Sequence, residues 1–122
     1  MKSVVIRNTT TGHLIADRAE VACTMRARII GLLGRRVFPL GEGLVFPHCN
    51  AIHTWGMQMP IDILFLRGTS VIKLAQCLPA CRMAAAFQAD TVVELPAGTI
   101  ARTATGIGQV VVVEQGISAG SA

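Results

Sequence analysis

The sequence predicts a mainly β (α+β) domain, a small β-barrel or sandwich of about seven short strands with one principal helix. Three observations lead to this prediction. Short runs rich in Val and Ile recur along the chain, turn-forming residues separate these runs, and a single segment has clear helical spacing. The chain shows no alternation of strands with helices and no internal repeat, so a parallel α/β sheet is not expected.

The opening segments are predicted to form a hairpin that leads into the principal helix. Residues 3–7 and 13–18 are the two strands, and residues 8–12 supply three threonines and a glycine for the turn. Residues 24–33 form the predicted helix, because Thr24 can cap it and apolar residues recur along one side.

The rest of the chain is predicted to be short strands with one irregular stretch. Residues 48–60 have no regular pattern, and residues 82–89 are ambiguous because an Ala run favours helix between neighbouring strands. Residues 99–104 are predicted to form a short helical turn. The remaining predicted strands are 44–46, Ile61–Arg67, 71–75, 91–95 and 109–114.

Length and composition are those of one folded domain. The chain has 122 residues, of which 52% are hydrophobic and 15% charged, and this composition excludes disorder. Because it has four Phe, one Trp and no Tyr, the core must be mainly aliphatic. We expect residues 1–115 to form a single β-rich domain and residues 116–122 a flexible C-terminal tail.

Charge and hydropathy suggest a location but no specific partner. The net charge of +4 is modest, so it permits an anionic partner without requiring one. The N-terminus lacks a secretory apolar stretch, and no apolar run reaches the roughly 20 residues of a membrane span. We therefore predict a cytoplasmic protein whose four cysteines are reduced.

Four segments, in this order and spacing, resemble the Domain of Unknown Function 192 family of bacteria and archaea. They are Arg-Ile-Ile-Gly-Leu-Leu-Gly-Arg at 28–35, Gly-Glu-Gly-Leu-Val-Phe at 41–46, the His-Thr-Trp-Gly-Met loop at 53–57 with the Ile-Asp strand after it, and Glu-Leu-Pro-Ala-Gly at 94–98 with Gly-Ile-Gly at 106–108. The resemblance covers roughly residues 4 to 113. It implies a small β-barrel-like fold and no particular activity, because the family has no established one.

The sequence departs from the family pattern at two places. Many members have Gly-Asp in the closing segment, where this chain has Gly108 followed by Gln109. Many also have a Trp-Met-x-Asn-Thr loop where this chain has the segment from His53 to Met57. The resemblance thus places the chain nearer a subgroup with a histidine in this loop.

His53 and Asp62 are the candidate catalytic residues. Asp62 lies in an otherwise apolar strand, where a buried carboxylate must be hydrogen-bonded or paired. It could orient His53 as a general base, which would make the protein a small hydrolase-like or other enzyme. Alternatively, Asp62 is structural and binds the backbone of the preceding loop.

A metal site is a second alternative. Cys49 and His53 are four residues apart, as are Cys77 and Cys81, and thiolate with imidazole is a usual ligand set for tetrahedral zinc. The competing interpretation is that these cysteines are small apolar side chains and that no metal is bound.

Ligand binding is assigned to Arg28, Arg35, Trp55 and Met57. The arginines could hold an anion, whereas Trp55 and Met57 could form an adaptable apolar surface or close the core. The leading hypothesis is a non-enzymatic binding module for a small anionic or amphipathic ligand or a peptide.

Other partners and cofactors are not indicated. Aromatic residues are not interleaved with the basic ones and no nucleic-acid-binding motif is present, which argues against nucleic acid. We expect no tightly bound organic cofactor, and the sequence is compatible with a monomer or a homodimer.

Overall fold

The structure, a computed structural model, describes residues 2–22 and 37–116. This part of the chain contains nine β-strands and one short helix. The elements are β1 (Lys2–Asn8), β2 (Leu14–Val21), β3 (Glu42–Pro47), β4 (Ala51–His53), β5 (Ile61–Arg67), β6 (Ser70–Leu78), β7 (Met83–Ala85), β8 (Thr91–Pro96), α1 (Thr99–Arg102) and β9 (Val111–Gln115).

Seven strands form one curled sheet in the order β6-β5-β8-β3-β2-β1-β9. The β2–β3 pair is parallel and the other neighbours are antiparallel. The two edge strands meet at one end, where Ser70 bridges to Val110 and the Val71 N–H donates to the Gln109 carbonyl at 3.0 Å. The sheet is therefore a half-barrel that is closed at one end, and the mainly β prediction is confirmed.

The central strand β5 is buried on both of its faces. Leu64 and Leu66 pack into one hydrophobic cluster with residues of β1, β2, β8 and β9. Ile63 and Phe65, which point the other way, pack into a second cluster that also contains Met59. Consequently every residue of β5 is buried except the last one, which is exposed.

Strands β4 and β7 pair as a separate two-stranded ribbon, the β4–β7 ribbon, beside the second cluster. Ile52 is buried and Ala84 packs against that cluster. His53 and Met83, which face each other across the ribbon, lie on its opposite face because strand side chains alternate. The sequence did not predict this pair, since β4 lies in the stretch without a regular pattern and β7 in the ambiguous one.

Most predicted strands are present with ends displaced by a few residues, and Ile61–Arg67 has the predicted bounds. The short helical turn after β8 is α1. The predicted principal helix at 24–33 lies outside the described residues, as does the predicted tail at 116–122 except for its first residue. Within the described ranges, no helix has the length and hydropathy that a membrane span needs.

Candidate functional site

Asp62 joins three separate segments through its buried carboxylate. Its Oδ1 accepts a hydrogen bond from the Cys77 N–H at 2.8 Å, and its Oδ2 accepts one from Gly98 at 3.1 Å and one from Ile100 at 2.8 Å. The side chain is fully buried. Three N–H donors supply the hydrogen bonds that a buried carboxylate requires.

The local backbone explains why these N–H groups reach Asp62. Between the Ile61–Leu78 and Ile63–Ala75 pairs, one residue of β5 lies opposite two residues of β6. This is a β-bulge, and Cys77 in it has φ 52°. Helix α1 has no capping hydrogen bond from its own first residues, so Asp62 supplies the cap from the neighbouring strand. Asp62 thus accepts its hydrogen bonds from the bulge and from the start of α1, rather than from the loop that precedes β5.

Thr54 fixes the loop that follows the β4–β7 ribbon. Its hydroxyl donates to the Pro79 carbonyl at 2.7 Å and accepts from the Arg82 N–H at 2.9 Å. Its backbone N–H donates to the Arg82 carbonyl at 2.9 Å, and its carbonyl accepts from Cys81 and Met57. Because Thr54 is completely buried, these bonds hold the next residue, Trp55, in a defined place.

Trp55 forms an exposed apolar surface with the outer face of the ribbon. Its ring lies 4.9 Å from the His53 ring, measured between centroids, at an interplanar angle of 31°. Met83 faces His53 across the ribbon. The exposed fractions are 57% for Trp55 and 70% for Met83. We call His53, Trp55 and Met83 the Trp55 surface.

A cleft of about 420 Å³ opens at the other end of the ribbon, lined by residues 48–51 and 89–90. The nearby Phe87 is almost fully exposed. The Asp90 carboxylate accepts hydrogen bonds from the Gly68 N–H at 2.8 Å and the Thr91 hydroxyl at 2.9 Å. These two bonds, led by that of Gly68, hold the pKa of Asp90 below its ordinary value. Asp90 is therefore negative at neutral pH, which suits a neutral or cationic group better than an anion.

His53 has a buried ring nitrogen, Nδ1, that has no hydrogen-bond partner. Asp62 is not its partner, because the Asp62 carboxylate accepts its three bonds from backbone N–H groups. A buried polar atom without a partner costs about 1–3 kcal/mol. An apolar ring at this position would avoid that cost.

Replacing His53 with phenylalanine tests this cost. We expect the free energy of unfolding to rise by about 1 kcal/mol, because the variant keeps a ring next to Trp55 and removes the buried nitrogen. Urea denaturation measures the change. The matched control is His13→Phe at an exposed histidine, for which we expect less than about 0.5 kcal/mol. A loss of stability in His53→Phe alone would show that the imidazole is needed for folding.

The candidate metal ligands do not form a cluster. Among residues 2–22 and 37–116, no group of three or more His, Cys, Asp or Glu side chains is arranged to hold a metal ion. Cys77 and Cys81 are free thiols, and the Cys49 Sγ donates a hydrogen bond to the Ala51 carbonyl oxygen at 3.1 Å. Cys49, His53, Cys77 and Cys81 are thus not brought together as a set of four ligands.

The structure describes two of the four predicted ligand-binding residues, and it places them differently. Trp55 is exposed, whereas Met57 is buried in the second hydrophobic cluster. Arg28 and Arg35 lie outside the described residues. The sequence analysis missed Met83, because its proximity to His53 arises from pairing between strands thirty residues apart.

Comparisons with known proteins agree on the fold and the family. A solved structure from Sinorhizobium meliloti 1021, of a proposed transcription regulator, superimposes with a TM-score of 0.77 at 19% identity and covers 92% of each chain. A protein of unknown function from Novosphingobium aromaticivorans DSM 12444 gives a TM-score of 0.74 at 24% identity, over 90% of this chain and 83% of that one.

No curated protein matches the chain. The family model of DUF192, described as Uncharacterized ACR, matches residues 5–113, which is nearly the whole chain and includes both β5 and the Trp55 surface. The chain therefore belongs to the DUF192 family.

Proposed function

We propose that this protein is a non-catalytic binding module that holds a peptide segment of a partner on the Trp55 surface. The observation that carries the proposal is the exposure of Trp55 and Met83 on a surface whose backbone Thr54 holds in place. Large apolar side chains that remain exposed on a rigid support are typical of binding sites, and Trp and Met are enriched there.

The chemistry of the surroundings favours a peptide over a small anion. The cleft at the other end of the ribbon presents the Asp90 carboxylate, and Arg82 is exposed beside Met83. Charges of both signs around an apolar centre suit a segment with one aliphatic or aromatic side chain between polar groups. The segment's apolar side chain would pack against Trp55 and Met83.

The test uses Trp55 as its own reporter, because it is the single tryptophan of the chain. A displayed library of random twelve-residue peptides without tryptophan is selected against the wild-type protein, and the selected peptides are synthesised. We expect each to shift the Trp55 emission to shorter wavelength, since the ring loses water on binding. Met83→Ala should weaken binding about tenfold or more, as truncation of a central interface residue does.

The matched control is Ile107→Ala, which truncates an apolar side chain that is 67% exposed on the loop between α1 and β9. It should leave the dissociation constant unchanged. Peptides that bind the wild type, Met83→Ala and Ile107→Ala equally would contradict the proposal. Wild-type and variant melting temperatures are compared first, so that loss of binding is not confused with loss of folding.

A further inference from the structure

A second cavity lies away from the Trp55 surface, between β2 and the turn that precedes β3. Its volume is about 280 Å³, and it is lined by residues 14–18, by Leu40 and Gly41, and by Arg102 of α1. This volume is just below the roughly 300–1,000 Å³ that is usual for ligand pockets, so the cavity has room only for a very small molecule. Trp55 and Met57 are not among its lining residues.

Arg18 is held against the wall of the cavity by the turn. Its Nη2 donates to the Leu40 carbonyl at 2.8 Å, and its backbone N–H donates to the Gly41 carbonyl at 2.9 Å. Gly41 has φ +95°, and a Cβ there would lie 2.7 Å from the Arg18 Nη2. A glycine is therefore required for the guanidinium to lie where it does.

Arg102 supplies a second guanidinium, and no carboxylate of the described lining residues pairs with it. One of its N–H groups donates to the Ile15 carbonyl at 3.4 Å. Among the lining residues that the structure describes, Asp17 is the single acidic side chain, and it pairs with Arg18 at 3.1 Å. These described residues together carry a net charge of one positive unit, which matches a monoanion. A guanidinium binds a carboxylate through two parallel hydrogen bonds.

The remaining wall is apolar. Leu14 and Leu40 are 40% and 52% exposed, and Ile15 and Ala16 complete that side. We propose that this cavity is a binding site for a short-chain aliphatic monocarboxylate, with the carboxylate on Arg102 beside Arg18 and the chain against Leu14 and Leu40. This site is independent of the proposed peptide surface.

The test is a titration of the full ¹⁵N-labelled chain with sodium hexanoate at constant ionic strength, followed by backbone amide NMR shifts. We expect saturable shifts at residues 14–18, 40–41 and 102. Sodium acetate and sodium phosphate, which lack the aliphatic chain, should bind at least about tenfold more weakly, and hexylammonium chloride should produce no saturable shift.

Two variants test whether hexanoate binds in this cavity or is attracted only by the positive charge of the protein. Arg102→Gln, at an exposed position, should weaken hexanoate binding about tenfold, whereas Arg67→Gln, at an exposed arginine outside the cavity, should not. Three results would overturn the proposal: no saturable shift with hexanoate, equal binding of acetate or phosphate, or equal affinity in Arg102→Gln and the wild type. Peptide binding at the Trp55 surface is unaffected by any of these results.

Discussion

Replacing Asp62 with asparagine should lower the free energy of unfolding by about 4 kcal/mol. The carboxylate accepts three backbone hydrogen bonds, from Cys77, Gly98 and Ile100, and all three have a charged acceptor. Hydrogen bonds to charged groups contribute roughly 1.5–3 kcal/mol each. An asparagine can turn its oxygen to only one side, so its NH₂ group must face at least one of these N–H donors.

Urea denaturation measures this loss, and amide hydrogen exchange locates it. Protection of the backbone amides from exchange should fall either at Gly98 and Ile100 or at Cys77, depending on which of them the side-chain oxygen of the new asparagine faces. The control is Asp17→Asn, because Asp17 is half exposed and its pair with Arg18 is a surface one. We expect that control to cost less than about 1 kcal/mol. Equal losses in the two variants would refute the capping role of Asp62.

The second large effect is expected at Asn8, whose side chain closes one end of the half-barrel. Its Nδ2 donates to the Thr105 hydroxyl at 3.2 Å and to the Gln109 Oε1 at 2.9 Å. Its Oδ1 accepts from the Thr10 and Thr11 N–H groups at 3.0 Å each. Asn8→Ala breaks all four bonds at a fully buried position, so we expect a loss of about 3 kcal/mol.

The closed end of the sheet is where this loss should be visible. The N–H groups of Val71 and Val111, which bond across the two edge strands, should exchange faster in Asn8→Ala than in the wild type. Asn50→Ala is the control, because Asn50 is exposed, and it should change stability by less than about 0.5 kcal/mol. Unchanged exchange at Val71 and Val111 would mean that Asn8 does not hold the edges together.

Several strands could be predicted from local sequence, and β5 shows why. Its apolar run is bounded by Pro60 and Gly68, which cannot continue a strand without loss of pairing or of side-chain packing. The predicted bounds therefore match the structure. The β4–β7 ribbon could not be found in this way, because its strands have three residues each and Ala, which favours strands weakly, forms half of them.

Trp55 and Met57 show the same limit within the candidate site. Both lie in one irregular loop, and nothing in the sequence distinguishes an exposed apolar residue from one that closes the core. In the structure Met57 packs into the second hydrophobic cluster while Trp55 stays exposed. Thr54, which begins this loop, is bonded to Pro79 and Arg82, and these belong to a distant segment.

By itself the sequence determined the fold class, the family resemblance and the need for partners around Asp62. These depend on composition, on residue spacing and on the cost of burying a charge, none of which requires knowing which distant residues are in contact. Only the tertiary structure decided which N–H groups bind the Asp62 carboxylate and which exposed side chains lie next to each other. The Asp62 partners Gly98 and Ile100 lie 36 and 38 residues away, and Met83 reaches His53 through strand pairing. Contacts between such distant residues depend on the packing of the whole chain, because no local pattern specifies which strands become neighbours.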